Sequence, residues 1–221
     1  MRRLLVLRPE PGASITVDRA RACGLDAIAV PLFAIEPVPW QAPSPGEFDA
    51  LLVTSANAIR CAGEDLRKLR GLEVHAVGEA TAEAAREAGF SIASVGDAGV
   101  DRLLGSIDPD LKLLHLCGED RREPESPRQE IRPIPVYRAR NLEAPDLGEA
   151  AGAVALIHSP RAGRRLAALI SERGSISIAA ISAAAVDAVG RGWARVEIAD
   201  APNEQALLAL AARLCNKPDP K

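Results

Sequence analysis

Four strand-to-helix turns carry the residues from which this chain could build chemistry: Thr54-Ser55, Gly78, Ser159 and Ser182. The first backbone N–H groups of a helix have no partner inside it, and the helix dipole is positive at that end. Each turn therefore aims donors at the carboxyl edge of a sheet, where open α/β folds hold their ligands. Ser and Gly also serve as ordinary helix caps, so one such turn says little. Repetition says more. Ser159 follows Ser55 by 104 residues, and Ser182 follows Gly78 by the same interval. An anion suits such donors, and a cleft between the two copies is the first place to look for it.

The remaining reactive residues give less. His75, His115 and His158 lie in or at the ends of apolar runs without metal-ligand spacing, as packed imidazoles do. His158-Ser159 is no catalytic dyad on spacing, because neighbouring side chains in a strand point to opposite faces. Cys23, Cys61, Cys117 and Cys215 form no CxxC pair and read as small buried hydrophobes in a reducing compartment. Arg121-Arg122 and Arg164-Arg165 read as solvated faces. Neither a P-loop nor a GxGxxG turn is present, so no nucleotide cofactor and no metal are expected. Tyr137 is the only tyrosine in the chain.

The elements that must position these residues alternate. Apolar runs at 4–7, 27–30, 50–53, 74–77, 113–116, 153–157, 178–181 and 196–198 predict strands, with helical patterns between them. After Ser55, Ile59, Ala62, Leu66 and Leu69 form one helical stripe ending at Gly71; its counterpart starts at Ser159, with Pro160 at the first helical position, and ends at Gly174. Two short alanine-rich helices are expected at about 79–88 and 183–189. A third repeat of the interval relates Val30-Pro31-Leu32-Phe33 to Ile134-Pro135-Val136-Tyr137. These segments, 30–41 and 132–141, are extended and proline-punctuated, the composition of strands that cannot sit in the centre of a sheet.

Composition agrees with two α/β units. The 221 residues are 48% hydrophobic but only 3% aromatic, which calls for a core of Ala, Leu, Val and Ile around mostly parallel sheets. A net charge of −3 and scarce aromatics speak against nucleic acid as a partner. No apolar run reaches the ~20 residues of a membrane helix, and no signal-peptide pattern opens the chain, so a cytoplasmic protein is expected. The proline-broken ending 216–221 is expected to fray.

Taken in order, several motifs resemble the uroporphyrinogen-III synthase family. They are Leu7-Arg8-Pro9, the run from Phe48 to Ala58 containing Val53-Thr54-Ser55-Ala56-Asn57, Val77-Gly78-Glu79-Ala80-Thr81-Ala82, Leu116-Cys117-Gly118-Glu119-Asp120-Arg121, Val136-Tyr137-Arg138-Ala139 and His158-Ser159-Pro160-Arg161-Ala162. Ser182 stands where that family usually has a Gly-Pro pair and a threonine.

The resemblance implies two similar flavodoxin-like α/β domains with mostly parallel sheets, joined by a two-stranded β connector. Domain 1 would be discontinuous, 1–32 with 142–221; domain 2 would be inserted at 42–131; the connector strands would be 33–41 and 132–141. It implies a monomeric, cofactor-free lyase of tetrapyrrole biosynthesis that dehydrates and cyclises hydroxymethylbilane, inverting the last pyrrole ring, to uroporphyrinogen III. The ligand would be a linear tetrapyrrole with eight carboxylates. Tyr137 would be the catalytic proton donor; Arg8, Thr54, Ser55, Asn57, Gly78, Thr81, Ser159, Arg161 and Ser182 would hold the substrate. Two other functions fit two α/β lobes: a non-catalytic binder or sensor of a small anion, and a sugar-nucleotide transferase. The first has no need of Tyr137 beside the serine turns, and the second would want a diphosphate site.

Overall fold

In chain order the elements are β1 (Leu4–Val6), α1 (Gly12–Ala22), β2 (Ala27–Ala29), β3 (Phe33–Pro37), β4 (Ala50–Val53), α2 (Ala56–Cys61), β5 (Glu73–Val77), α3 (Glu79–Glu87), β6 (Ile92–Gly96), α4 (Val100–Ser106), β7 (Lys112–Gly118), β8 (Glu130–Asn141), β9 (Val154–Ile157), α5 (Pro160–Leu169), β10 (Ser177–Ala180), α6 (Ala183–Val189), β11 (Arg195–Ile198) and α7 (Glu204–Asn216). This is the computed structural model of the chain, and it describes residues 1–216 apart from Ala98, Arg122 and Glu149. The expected frayed ending beyond Asn216 lies outside the described residues, as does Arg122 of the Arg121-Arg122 pair. The chain divides into two compact units: unit 1 is residues 1–34 with 141–221, and unit 2 is residues 35–140.

Unit 1 holds a five-stranded sheet in the order β11-β10-β9-β1-β2. All its ladders are parallel. Strands buried on both faces must be apolar throughout, and β1, β9 and β10 are fully buried along their length. One side of the sheet packs Leu4, Val6 and Leu156 against Val17 of α1 and against Leu207, Leu210 and Leu214 of α7.

Unit 2 holds a six-stranded sheet, β3-β8-β7-β4-β5-β6. The ladders from β8 to β6 are parallel. Val38 N–H donates to Val136 O and Leu142 N–H to Leu32 O, so β3 and β8 run in opposite directions. The core on one face collects Leu51, Val53, Leu114, Leu116 and Val136 with Ile59, Leu66 and Leu69.

The two sheets explain why the repeat does not divide the chain into consecutive halves. β4 and β5 occupy the places in their sheet that β9 and β10, 104 residues later, occupy in theirs. The partners of β1 and β2 are then β7 and β8, which close the segment of unit 2 instead of opening it. Each sheet changes winding direction at its centre, between β1 and β9 in one and between β7 and β4 in the other. In open α/β sheets the crevice for a ligand lies at such a point, beyond the carboxyl ends of the strands.

Several local expectations are corrected. The stripe after Ser55 is not one helix: α2 ends at Cys61, and Gly63, at a φ of 63° that favours glycine, turns the chain into a 3-10 stretch over Gly63–Leu69. β6, α4 and α7 are additional elements. Segment 132–141 does have a neighbour on each side. β3 covers only its later part, and Pro133 and Pro135 precede Val136, where that pairing starts, so their missing N–H groups interrupt no β3 ladder. Cys23, at the end of α1, is exposed and Cys61 is half-buried, while Cys117 and Cys215 are buried as expected. Arg165 is half-buried and donates to Leu142 O at 2.6 Å, although Arg164 is solvated.

Candidate functional site

Three of the four turns are serine-capped as their sequence suggests. Ser55 Oγ accepts from Asn57 N–H at 3.2 Å, Ser159 Oγ from Ala162 N–H at 3.2 Å and Ser182 Oγ from Ala185 N–H at 3.4 Å. Thr54 is therefore not the cap, and its hydroxyl is used elsewhere. Gly78 opens α3 at φ 84°, where any side chain would be strained, and its N–H is committed to Gly96 O at 2.7 Å. The donors left for a ligand are the first N–H groups beyond each cap. Thr81, 5% exposed, faces inward from α3 and offers a ligand little surface.

In unit 2 the Ser55 turn lies beside Tyr137. Its ring packs on Gly118 at the end of β7, where an added Cβ would stand 2.8 Å from the ring. Burial pushes its phenol above the ordinary range, outweighing the opposite pull of the Ser55 side chain beside it. Ser55 Oγ accepts the Asn57 N–H, and the raised phenol beside it stays protonated at neutral pH.

His115, in β7, lies 3.1 Å through Nε2 from Thr54 Oγ1. Burial, helped by the charge of Arg121, lowers its imidazole from 6.5 to about 4, so it is neutral at neutral pH. Because the unfolded chain takes this proton at about 6.5, it binds more protons than the native state between about 4 and 6.5. Stability is expected to fall as pH drops through that window, by up to about 1.4 kcal/mol per pH unit from this group. Urea unfolding at pH 7 and pH 5 measures the slope. The His115→Gln variant should show a shallower one, and equal slopes in parent and variant would rule the assignment out.

In unit 1 the turn after β1 presents Arg8. Its Nη1 reaches Glu204 Oε2 at 3.3 Å and Thr16 Oγ1 at 3.5 Å. The turn after β9 presents His158 and Ser159, with His158 Nε2 also 3.3 Å from Glu204 Oε2. Neither nitrogen of that buried ring makes a hydrogen bond of good geometry, and burial lowers its imidazole. Burial works to raise the Glu204 carboxyl too, but the adjoining His158 ring, the Thr16 hydroxyl and the Arg8 charge hold it down at about 2. Arg161 stacks 5.1 Å over the Phe33 ring and bonds Asn141 Oδ1 at 3.3 Å. Phe33 is the repeat counterpart of Tyr137, so one copy pairs its ring with a serine and the other with a guanidinium.

Sequence reasoning passed over Glu204, since α7 was not among the expected helices. Its apolar stripe, Leu207, Leu210, Ala211 and Leu214, was legible as a helix beginning near Asn203. Among the described residues no group of three or more His, Cys, Asp or Glu is placed to hold a metal, and no helix is long and apolar enough to cross a membrane.

The uroporphyrinogen-III synthetase of Helicobacter pylori has a similar structure, with 14% identity over 97% of this chain and 100% of that one and a TM-score of 0.64. A mutant uroporphyrinogen III synthase of Thermus thermophilus is similar at 18% identity over 97% of this chain and 98% of that one, with a TM-score of 0.52. At such identities the likeness is one of fold. No curated protein sequence is similar enough to count as a match. The sequence profile of the family described as Uroporphyrinogen-III synthase HemD matches residues 15–209, from within α1 to within α7. With nearly the whole of both α/β units inside that match, the chain belongs to the uroporphyrinogen-III synthase family.

Proposed function

We propose that Tyr137 is the proton donor of this lyase and that the helix starts, with Arg8 and Arg161, hold the carboxylates of its substrate. The enzyme acts on a linear tetrapyrrole, hydroxymethylbilane, and forms uroporphyrinogen III. The chemistry that the protein must add is limited. The terminal hydroxyl leaves to give a resonance-stabilised azafulvene, and the open chain closes by itself to the wrong isomer. A phenol that remains protonated can stabilise the departing hydroxide, and fixed donors can select the folded pose in which the last ring inverts. Such positioning is worth several kcal/mol, up to ~7 or more in ideal cases.

The observation that supports this reading is a phenol, kept protonated by burial, that lies beside the Ser55 turn and packs on Gly118 at the carboxyl end of β7. Thr54, held by His115, and the start of α3 after Gly78 supply polar groups beside it in unit 2. Arg8 and the capped starts of α5 and α6 supply those of unit 1. Domain boundaries near residues 32, 42, 131 and 142, a monomeric state, a cytoplasmic location, independence of metals and nucleotides, and no nucleic-acid partner belong to the same proposal. The test is a product analysis. Given hydroxymethylbilane, with the products oxidised and separated, the protein should yield isomer III in large excess over isomer I, with or without chelator. Isomer I alone, as in the uncatalysed closure, would overturn it.

A further inference from the structure

Four side chains converge in unit 1 from separate places: Arg8 after β1, Thr16 on α1, His158 after β9 and Glu204 at the start of α7. Thr16 is completely buried, and its hydroxyl donates to Glu204 Oε1. The other carboxylate oxygen, Oε2, takes Arg8 Nη1 at 3.3 Å. Glu204 therefore faces Arg8 with one oxygen while the other is fixed to the helix beside it. The long edge of the guanidinium lies against Gly12, where a Cβ would stand 2.6 Å from Nε and 2.9 Å from Cζ. Glycine is what allows Arg8 to lie there. His158 closes the remaining side with 10% of its side chain exposed.

An arginine that only needed a charge partner would find one at the surface, where ion pairs contribute little. Here a largely buried carboxylate, a buried hydroxyl and a glycine define the plane of one guanidinium at the crevice between β1 and β9. Recognition of a carboxylate by a guanidinium depends on such orientation. We infer that Glu204, backed by Thr16, is a positioning residue that fixes Arg8 for a carboxylate of the substrate. The inference rests on the reading of Arg8 as a carboxylate-holding residue. Glu204 itself does not touch the substrate.

Steady-state kinetics with hydroxymethylbilane test it on the parent and on Glu204→Gln, Gly12→Ala, Arg8→Ala and the Arg8→Ala/Glu204→Gln pair. Glu204→Gln should raise KM roughly 10-fold or more, the size of losing a hydrogen bond to a charged group, with kcat within about 2-fold. Gly12→Ala leaves every charge in place and only displaces the guanidinium, so it should raise KM as well, whatever the folding yield of the Gln variant. On the Arg8→Ala background, Glu204→Gln should add nothing, because its effect passes through Arg8. An undiminished effect there, or a fall in kcat with KM unchanged, would overturn the positioning role while leaving Arg8 as a ligand group. An Arg8→Ala variant with the parent's KM would remove the Arg8 reading itself, and the inference with it.

Discussion

Tyr137→Phe is expected to lower turnover at least ~10-fold, towards the ~10²-fold typical of lost acid catalysis, while the fold persists. The substitution keeps the ring that covers Gly118 and removes only the hydroxyl beside Ser55. Ser55 would still cap α2 through Asn57 N–H, so the start of that helix keeps its geometry. The structural cost of losing one hydroxyl is no more than about 1 kcal/mol. Burial raises the phenol's pKa, which keeps the proton in place across the neutral range and makes the loss of activity independent of pH there. A purely structural role in the strand, where an aromatic side chain packs well against its neighbours, predicts unchanged turnover instead. Single-turnover rates of parent and variant, with the isomer ratio read from the same samples, separate the two. Equal rates with isomer III as product would leave conformational control as the whole of catalysis.

Gly163→Val is expected to destabilise the protein by about 3 kcal/mol or more and to lower Tm by roughly 6–12 °C. Gly163 is buried on the inner side of α5, against α6. A Cβ there would lie 3.0 Å from Ala185 O and 3.0 Å from Val189 N, both backbone atoms of α6, so relief requires the two helices to separate. Separation also reaches the start of α6, proposed to hold the substrate, since Ala185 N–H is the one capped by Ser182. KM should therefore rise along with the fall in Tm. Calorimetry and substrate titration check both. A variant with the parent's Tm would show that α5 and α6 can part at little cost, contrary to their close backbone approach.

The sequence by itself determined the features whose physics is local. Short apolar runs dictate strands such as β4 and β9, because a strand buried on both faces must be apolar throughout. Ser55, Ser159 and Ser182 dictate where helices begin, because a serine hydroxyl satisfies the first free N–H groups of the helix it precedes. The interval of 104 residues revealed two copies of one unit, since duplication leaves equal spacing in the chain whatever the fold. Tertiary structure decided how the copies differ. Ile59 and Gly163 hold the same place in the repeat, yet only the second helix approaches its neighbour closely enough to require glycine. Tyr137 and Phe33 likewise share a place, and their partners, Ser55 and Arg161, emerge only once the strands are paired. Glu204 was hidden for the same reason. It meets Arg8 across 196 residues of chain, and a contact of that span leaves no period, cap or spacing in the sequence from which it could be read.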